Sequence, residues 1–147
     1  VPGPDAQFTT DNKALIIKAL ERPDDDAKKG SRIQRLMWHP FNNQKPKVLY
    51  TLTDENLVNS AGNELSFLVA NRGKKIAAIT RVDSHNQGVV QINISVTILS
   101  VSASGEATML STKTHRFSHA GFNIRFQHYW NKEGFHVQLG KEILSIN

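Results

Sequence analysis

Apolar and polar residues alternate along much of this chain, the pattern of a β-strand with one buried face. The clearest stretch is GVVQINISVTILSVS, residues 88–102. Its apolar side carries Val90, Ile92, Ile94, Val96 and Ile98, and its other side carries Val89, Gln91, Asn93, Ser95, Thr97 and Leu99. Successive side chains of a strand point to opposite faces, so this alternation predicts one long strand.

Shorter apolar runs separated by turn residues predict further strands. They lie at residues 13–20, 47–53, 64–70, 75–82 and 106–112. Asn71-Arg72-Gly73 joins two of them and predicts a hairpin turn, with Gly73 supplying a positive φ. Ile33, Leu36, Met37 and Trp38 form an apolar patch, in which we expect Trp38 to belong to the core.

The C-terminal stretch 122–144, FNIRFQHYWNKEGFHVQLGKEIL, predicts a hairpin. It turns at residues 130–134 and turns again at Gly140-Lys141. The residues expected to face the core are Phe122, Ile124, Phe126, Phe135, Val137 and Leu139. Those expected to face outward are Asn123, Arg125, Gln127, Tyr129, His136 and Gln138.

These elements predict an all-β fold, an antiparallel β-sandwich of jelly-roll type. The 147 residues fit one domain: an extended N-terminal segment, residues 1–12, followed by a single sandwich, residues 13–147. No long amphipathic helix is predicted. No stretch approaches the length of a membrane span, so none is expected.

Charge and composition narrow the class of partner. Lys and Arg number 18 against 13 Asp and Glu, giving a net charge of +5. A basic balance favours polyanionic partners such as heparin-like sugars, nucleic acid or acidic surfaces, although a merely soluble basic surface is the alternative. The chain has no cysteine, which excludes disulfides, thiolate metal sites and cysteine nucleophiles.

No motif of catalysis is present. The chain lacks a nucleophile elbow, a P-loop, a zinc-protease helix and a dinucleotide-binding glycine motif. Asp24, Asp25 and Asp26 lack the spacing of a calcium-binding loop, and we expect them to lie in a solvent-exposed loop. We therefore expect no enzyme, no cofactor and no metal site.

The candidate ligand-binding residues combine aromatic rings, amides and cations on the C-terminal hairpin. They are Arg125, Tyr129, Trp130, His136, Asn123 and Gln127, with Arg72, Lys74 and Lys75 as a basic loop. Sugars and single-stranded nucleic acids both bind surfaces of this kind. For Trp130, the alternative is that it caps the end of the core. His115, His119, His128 and His136 are either ordinary surface histidines or a patch whose positive charge rises below about pH 6.5, which would make binding of an anion depend on pH.

Asn93-Ile94-Ser95 is the only N-glycosylation triplet. It makes Asn93 a candidate glycosylation site if the protein is secreted. The compartment is left open, with an extracellular one favoured.

Residues 115–146 resemble the C-terminal part of galectins. The spacing of core positions in that family is matched by Phe117, Gly121, Phe122, Ile124, Phe126, Phe135 and Val137. The resemblance implies a galectin-like or concanavalin-like sandwich. The family's sugar-binding signature, His-x-Asn-x-Arg with Val-x-Asn and Trp-x-x-Glu-x-Arg, is missing. Its nearest counterpart is Val69-Ala70-Asn71-Arg72-Gly73, so the resemblance implies the fold without the family's galactoside site.

Two functions are therefore expected from the sequence. The first is a non-enzymatic recognition domain that binds a glycan or another polyanion through a basic, aromatic-containing sheet face, with nucleic acid as an open alternative. The second is a structural or self-assembly module, capsid-like or otherwise interacting with protein, that takes no small ligand.

Overall fold

A computed structural model of the chain describes residues 6–21, 32–54, 64–70, 74–87, 89–120 and 125–147. Its strands are β1 (Ala6–Phe8), β2 (Ala14–Glu21), β3 (Arg32–Pro40), β4 (Lys47–Asp54), β5 (Glu64–Val69), β6 (Lys75–Asn86), β7 (Val89–Val101), β8 (Ala107–Ala120), β9 (Gln127–Asn131), β10 (Gly134–Leu139) and β11 (Glu142–Ile146). No helix is found among the described residues, and therefore none there that could span a membrane.

The strands form three antiparallel sheets in chain order. β1 to β4 make the N-terminal sheet, β5 to β8 the central sheet and β9 to β11 the C-terminal sheet. In each sheet the hydrogen-bonded neighbours are consecutive in sequence. The all-β antiparallel prediction is confirmed, whereas jelly-roll connectivity is not, because the described pairings are simple meanders.

The predicted strands are present, but several bounds differ from expectation. β6 extends to Asn86, β1 forms within the expected N-terminal segment, and β9 and β10 leave only residues 132–133 for the turn expected at 130–134. β8 extends to Ala120, well beyond the expected residues 106–112, because it pairs with β7 along nearly its whole length. β3 forms where only an apolar patch was foreseen. The predicted turn at 71–73, the acidic trio at 24–26 and the residues 121–124 lie outside the described residues.

The central sheet is covered on both faces by separate hydrophobic cores. On β6, Ala77 and Ile79 belong to one core, and Ile76 and Ala78 belong to the other. Because neighbouring side chains of a strand point to opposite faces, the two cores lie on opposite sides of the central sheet.

The C-terminal core lies between the central and C-terminal sheets. Its largest part is the apolar side of β7, where four of the five expected residues are fully buried, Ile92, Ile94, Val96 and Ile98, while the side chain of Val90 is outside the described part. Phe117, Phe135 and Val137, three of the galectin-like positions, are buried against them, and Phe126 packs at the edge. The alternation in β7 therefore identified this core correctly, but the expectation of a single buried face is wrong, because Thr97, Leu99 and Val101 on the other face are buried as well.

The N-terminal core lies between the central and N-terminal sheets and contains Trp38, which is 4% exposed, as expected from the sequence. Gly105, in the turn before β8, has φ +83 and lies against the Trp38 ring. A Cβ at this position would stand 2.3 Å from Cε3 of Trp38. The turn therefore requires glycine both for its backbone conformation and for space.

Side-chain amides cover the outer edge of β5. Gln7 donates to the carbonyl of Phe67 at 3.0 Å and accepts from the N–H of Val69 at 2.9 Å. Gln34, buried in the N-terminal core, accepts from the N–H of Leu65 at 3.0 Å. These amides take the place of a further strand, and they link the N-terminal sheet to the central one.

Candidate functional site

The outer face of the C-terminal sheet holds part of the predicted binding set. Tyr129 and His136 are directly opposite each other on β9 and β10, as expected for neighbouring strands, and their rings stack at 5.0 Å. The Tyr129 hydroxyl donates to Oε1 of Gln138 at 3.2 Å. Gln127 pairs with Gln138 and is exposed. The structure thus brings Gln127, Tyr129 and His136 together on one face.

His136 is buried, and the prediction that it is exposed on this face is wrong. Its side chain is 5% exposed, with Nδ1 2.7 Å from Oγ of Ser145 and Nε2 2.8 Å from Oδ1 of Asn131. The same Oδ1 accepts from the N–H of Glu133, so it is an acceptor and Nε2 carries a proton. Both ring nitrogens are therefore occupied, and His136 holds the β9–β10 turn rather than an open donor position.

Trp130 lies on the opposite, inner face of the C-terminal sheet. Its ring packs on Phe135 at 5.2 Å, and Nε1 donates to the carbonyl of Leu68 at 2.9 Å. Trp130 caps the end of the core, the alternative noted from the sequence. It does not share a face with Tyr129, so the two rings do not form one stacking surface.

The remaining members of the set are scattered or outside the described residues. Arg125 is exposed and lies two residues before the start of β9. Asn123 and Arg72 lie outside the described residues. Their predicted binding roles remain predictions.

Lys74 and Lys75, the other predicted cations, border a cleft between the N-terminal and central sheets. The cleft is formed by the β1–β2 turn, the start of β6 and the turn after β7. Its residues include Thr9, Thr10, Asp11, Lys13, Ala14, Trp38, Val69, Lys74, Lys75, Ile76, Val101, Ser102 and Ala103. We refer to Lys13, Lys74 and Lys75 with this cleft as the lysine cleft.

Backbone hydrogen bonds fix the positions of the cations. In the β1–β2 turn, Asn12 has φ 58, and the N–H of Thr9 bonds to the carbonyl of Ala14 at 2.9 Å. On the other side, the carbonyl of Lys74 accepts from the N–H of Val101, and that of Lys75 accepts from the N–H of Ala70, both at 2.9 Å. The lysine backbones are thus held at strand ends, while their side chains are exposed.

The lysine cleft is positively charged at neutral pH. Asp11 is its one carboxylate among the described residues, against three lysines. A hydrogen bond from the Thr9 hydroxyl at 2.6 Å, another from the N–H of Lys13 and the charges of Lys13 and Lys74 hold the pKa of Asp11 below its usual range. None of the three lysines forms an ion pair within the described part of the chain, whereas Lys47 pairs with Glu106 at 3.1 Å.

The lysine cleft is shallow. The space within it that a water-sized sphere can occupy is about 30 Å³, enough for a water molecule or one functional group. A sugar ring cannot be enclosed there. An anionic ligand would lie across the rim and place single charged groups against the lysines.

Asn93 lies half-buried on β7, on the face opposite the C-terminal core. Its Oδ1 accepts from Nε of Arg116 at 3.2 Å. Beside it, Ser95 and Thr114 share a hydrogen bond at 2.8 Å, and Thr97 and Thr112 share one at 3.2 Å. The predicted glycosylation site therefore lies within a polar sheet face, and its modification remains a prediction.

Sequence reasoning identified Lys74 and Lys75 but missed Lys13 and Asp11. The two halves of the lysine cleft are about 60 residues apart and meet only because the N-terminal sheet packs on the central sheet. No local pattern signals such a meeting. The positive φ of Asn12 was also not foreseen, although asparagine is one of the residues that tolerates this conformation.

Among the described residues no group of three histidine, aspartate or glutamate side chains is arranged to hold a metal ion.

Comparisons with protein-family models, with curated proteins and with solved structures gave no significant match.

Proposed function

We propose that this chain is a non-enzymatic recognition domain of β-sandwich architecture that binds an anionic glycan or another polyanion at the lysine cleft. The observation that carries this proposal is the convergence of three exposed lysines, Lys13, Lys74 and Lys75, around one carboxylate. A surface of one sign concentrates ligands of the other sign and accelerates their association.

The shape of the lysine cleft favours a chain-like ligand over an isolated sugar. A cleft of about 30 Å³ cannot bury a ring, which is how neutral sugars usually gain affinity. A sulfated or carboxylated chain needs no deep pocket, because each anionic group can approach a different lysine. Its affinity is then expected to come from charge and to fall as salt rises.

The test is a titration with a heparin oligosaccharide at low and physiological salt. The variant Lys13→Gln/Lys74→Gln/Lys75→Gln removes the charge of the lysine cleft. The matched control Lys132→Gln/Lys141→Gln/Lys113→Gln removes the same charge elsewhere. We expect at least a tenfold loss of affinity in the first variant, a flatter salt dependence, and a change of less than threefold in the control.

Equal losses in the two variants would mean that only net charge matters and would remove the lysine cleft as the site. Variants of the outer face of the C-terminal sheet, Arg125→Ala and Tyr129→Ala, test the location predicted from the sequence. Their selective loss of binding would move the site to that face. A single-stranded oligonucleotide as competitor distinguishes nucleic acid from glycan as the preferred polyanion.

Self-association is the second candidate, and the outer edge of β8 favours it. β8 is the last strand of the central sheet in the described part of the chain, and Met109 and Leu110 are 67% and 49% exposed. Two features of β8 oppose such pairing: Leu110 is an extra residue in the pairing with β7 and forms a bulge, and Lys113 and Arg116 add repulsion between copies. A mass that rises with concentration in sedimentation experiments would support this candidate over the first.

A further inference from the structure

A cavity of about 280 Å³ opens between the central and C-terminal sheets, on the side of the central sheet opposite the lysine cleft. Of its described lining residues, only His128 belongs to a group considered from the sequence, the histidine patch. Its lining residues are Ser66, Ile79, Arg81, Ile94, Phe126 and His128. We refer to it as the Arg81 cavity.

We propose that the Arg81 cavity binds a small carboxylate with an apolar body, with the acid group on the Arg81 guanidinium and the body against Phe126. This is a second site, independent of the polyanion binding proposed above.

The guanidinium of Arg81 is held in place by Asp83, and among the described side chains its second edge meets no acceptor. Nε and Nη2 donate to the two carboxylate oxygens of Asp83 at 2.8 and 2.9 Å, and the guanidinium carbon lies 5.3 Å from the centre of the Phe126 ring. Asp83 is its only hydrogen-bond acceptor in the described structure. Of its five N–H groups, the two on Nη1 and one on Nη2 remain, and together they form a second edge that fits a carboxylate.

The rest of the cavity suits an apolar body. Ile79 and Ile94 lie at its base and are almost fully buried, so the apolar surface open to a ligand comes mainly from the partly buried Phe126. A cavity of about 150 Å³ can hold benzene, so about 280 Å³ accommodates one ring and a short chain. Arg81 is partly exposed and His128 has an exposed side, so the cavity is accessible from solvent.

His128 supports the same ligand class. Partial burial beside Phe126 and Phe135 lowers the pKa of His128, and the positive charge of Arg81 lowers it further. The imidazole is therefore neutral at pH 7 and can donate a hydrogen bond to a ligand oxygen or accept one from a ligand hydroxyl.

The experiment is an NMR titration of the full chain with phenylacetate, following the backbone amides of Ile79, Arg81, Ile94 and His128. We expect saturable shifts at these amides, with a dissociation constant on the order of 1 mM for so small a ligand. The neutral analogue 2-phenylethanol should bind at least tenfold more weakly. Absence of saturable shifts at these residues, or equal binding of the neutral analogue, would overturn the proposal.

Variants of the ion pair separate a binding role from a structural one. Arg81→Gln should weaken phenylacetate binding at least tenfold. Asp83→Asn should tighten it several-fold, because the acid that competes for Arg81 is gone. If Arg81 were merely structural, the two variants would weaken binding alike, and that result would contradict the proposal.

Two further variants keep the proposal testable if Arg81→Gln does not fold. Ser66→Leu fills the cavity without altering a charge and should abolish the titration. Arg116→Gln, on the opposite face of the central sheet, is the matched control and should leave it unchanged. Unaltered binding in the Ser66→Leu variant would exclude the Arg81 cavity as the site.

Discussion

At the scale of single residues, Gly105 is the position where the fold depends most directly on the absence of a side chain. We expect Gly105→Ala to lower the free energy of unfolding by about 2–4 kcal/mol, from the strain of a positive φ and the clash with Trp38. Gly140→Ala is the matched control, since Gly140 has φ +59 but open space around it, and it should cost about 1 kcal/mol. Urea unfolding of both variants checks this, and equal losses would show that the Trp38 contact is unimportant.

The lowered pKa of His128 makes a second prediction at this scale. In the unfolded chain the imidazole binds a proton near pH 6.5, whereas in the folded state it does so only at lower pH. The unfolded state therefore holds more protons below about pH 6.5, and stability should fall as pH drops from there to the folded pKa. Arg81, whose charge lowers the pKa of His128, is paired with Asp83, and His115, paired with Glu142, is connected to His128 through the rings of Phe117 and Phe126.

The measurement is the free energy of unfolding at pH 7.5 and 5.5 for the wild type and His128→Gln. We expect the variant to lose less stability between the two pH values, since glutamine does not titrate. Other histidines contribute equally to both proteins and cancel in the difference. An identical loss in the variant would show that His128 does not contribute to this pH dependence.

At the scale of the strand, the edge of β5 depends on two glutamines. Gln34→Leu leaves the N–H of Leu65 buried without an acceptor, and we expect a loss of about 1–3 kcal/mol. Gln7→Leu should lower the free energy of unfolding by less, because Gln7 is only partly buried and water can take over its hydrogen bonds to β5. The exposed Gln127→Leu on β9 is the control and should change stability by less than about 0.5 kcal/mol.

Hydrogen exchange tests the same contacts individually. The Leu65 amide should exchange faster in Gln34→Leu, and the Val69 amide should exchange faster in Gln7→Leu, with other β5 amides less affected. Uniform acceleration along β5 would indicate general destabilisation instead of the loss of a specific bond.

Alternation predicted the strands well, yet it located the candidate sites poorly, and the reason is physical. The period of two assigns His136 and Tyr129 to one face correctly, but whether a residue on that face is exposed depends on its neighbours. Hydrogen bonds between its two ring nitrogens and the side chains of Asn131 and Ser145 hold His136 in a buried position. Trp130 is the last residue but one of β9, beside a turn, where a shift of one residue in the strand register would exchange a core position for a solvent-facing one.

The two proposed sites were beyond the reach of local patterns for a different reason. Lys13 and Lys74, like Arg81 and His128, are far apart in sequence and come together only through the packing of one sheet on another. The order of the strands follows the chain and could be predicted. The sequence does not show which faces of the sheets pack together, because β6 contains a continuous apolar run with no polar side, Ile76, Ala77, Ala78 and Ile79.

At the scale of the whole molecule, the two cores share the central sheet and should unfold together. β6 and β7 contribute side chains to both, so loss of either core exposes apolar surface of the same strands. The chain has two tryptophans: Trp38 lies in the N-terminal core, and Trp130 packs against the C-terminal core. Each core therefore carries its own fluorescent reporter.

Trp130→Phe leaves Trp38 as the sole reporter, and Trp38→Phe leaves Trp130. In each variant we expect the denaturation midpoint by fluorescence to coincide with that by circular dichroism, as for one cooperative unit. Trp130→Phe should itself lower the free energy of unfolding by about 1 kcal/mol, because it removes the hydrogen bond to the Leu68 carbonyl. A fluorescence midpoint separated from that of circular dichroism, in either variant, would mean that one core unfolds while the central sheet persists. In that case ligands of the lysine cleft and of the Arg81 cavity would stabilise different parts of the molecule. With a single transition, binding at either site raises the common midpoint, since a ligand that binds only the folded state stabilises the whole cooperative unit.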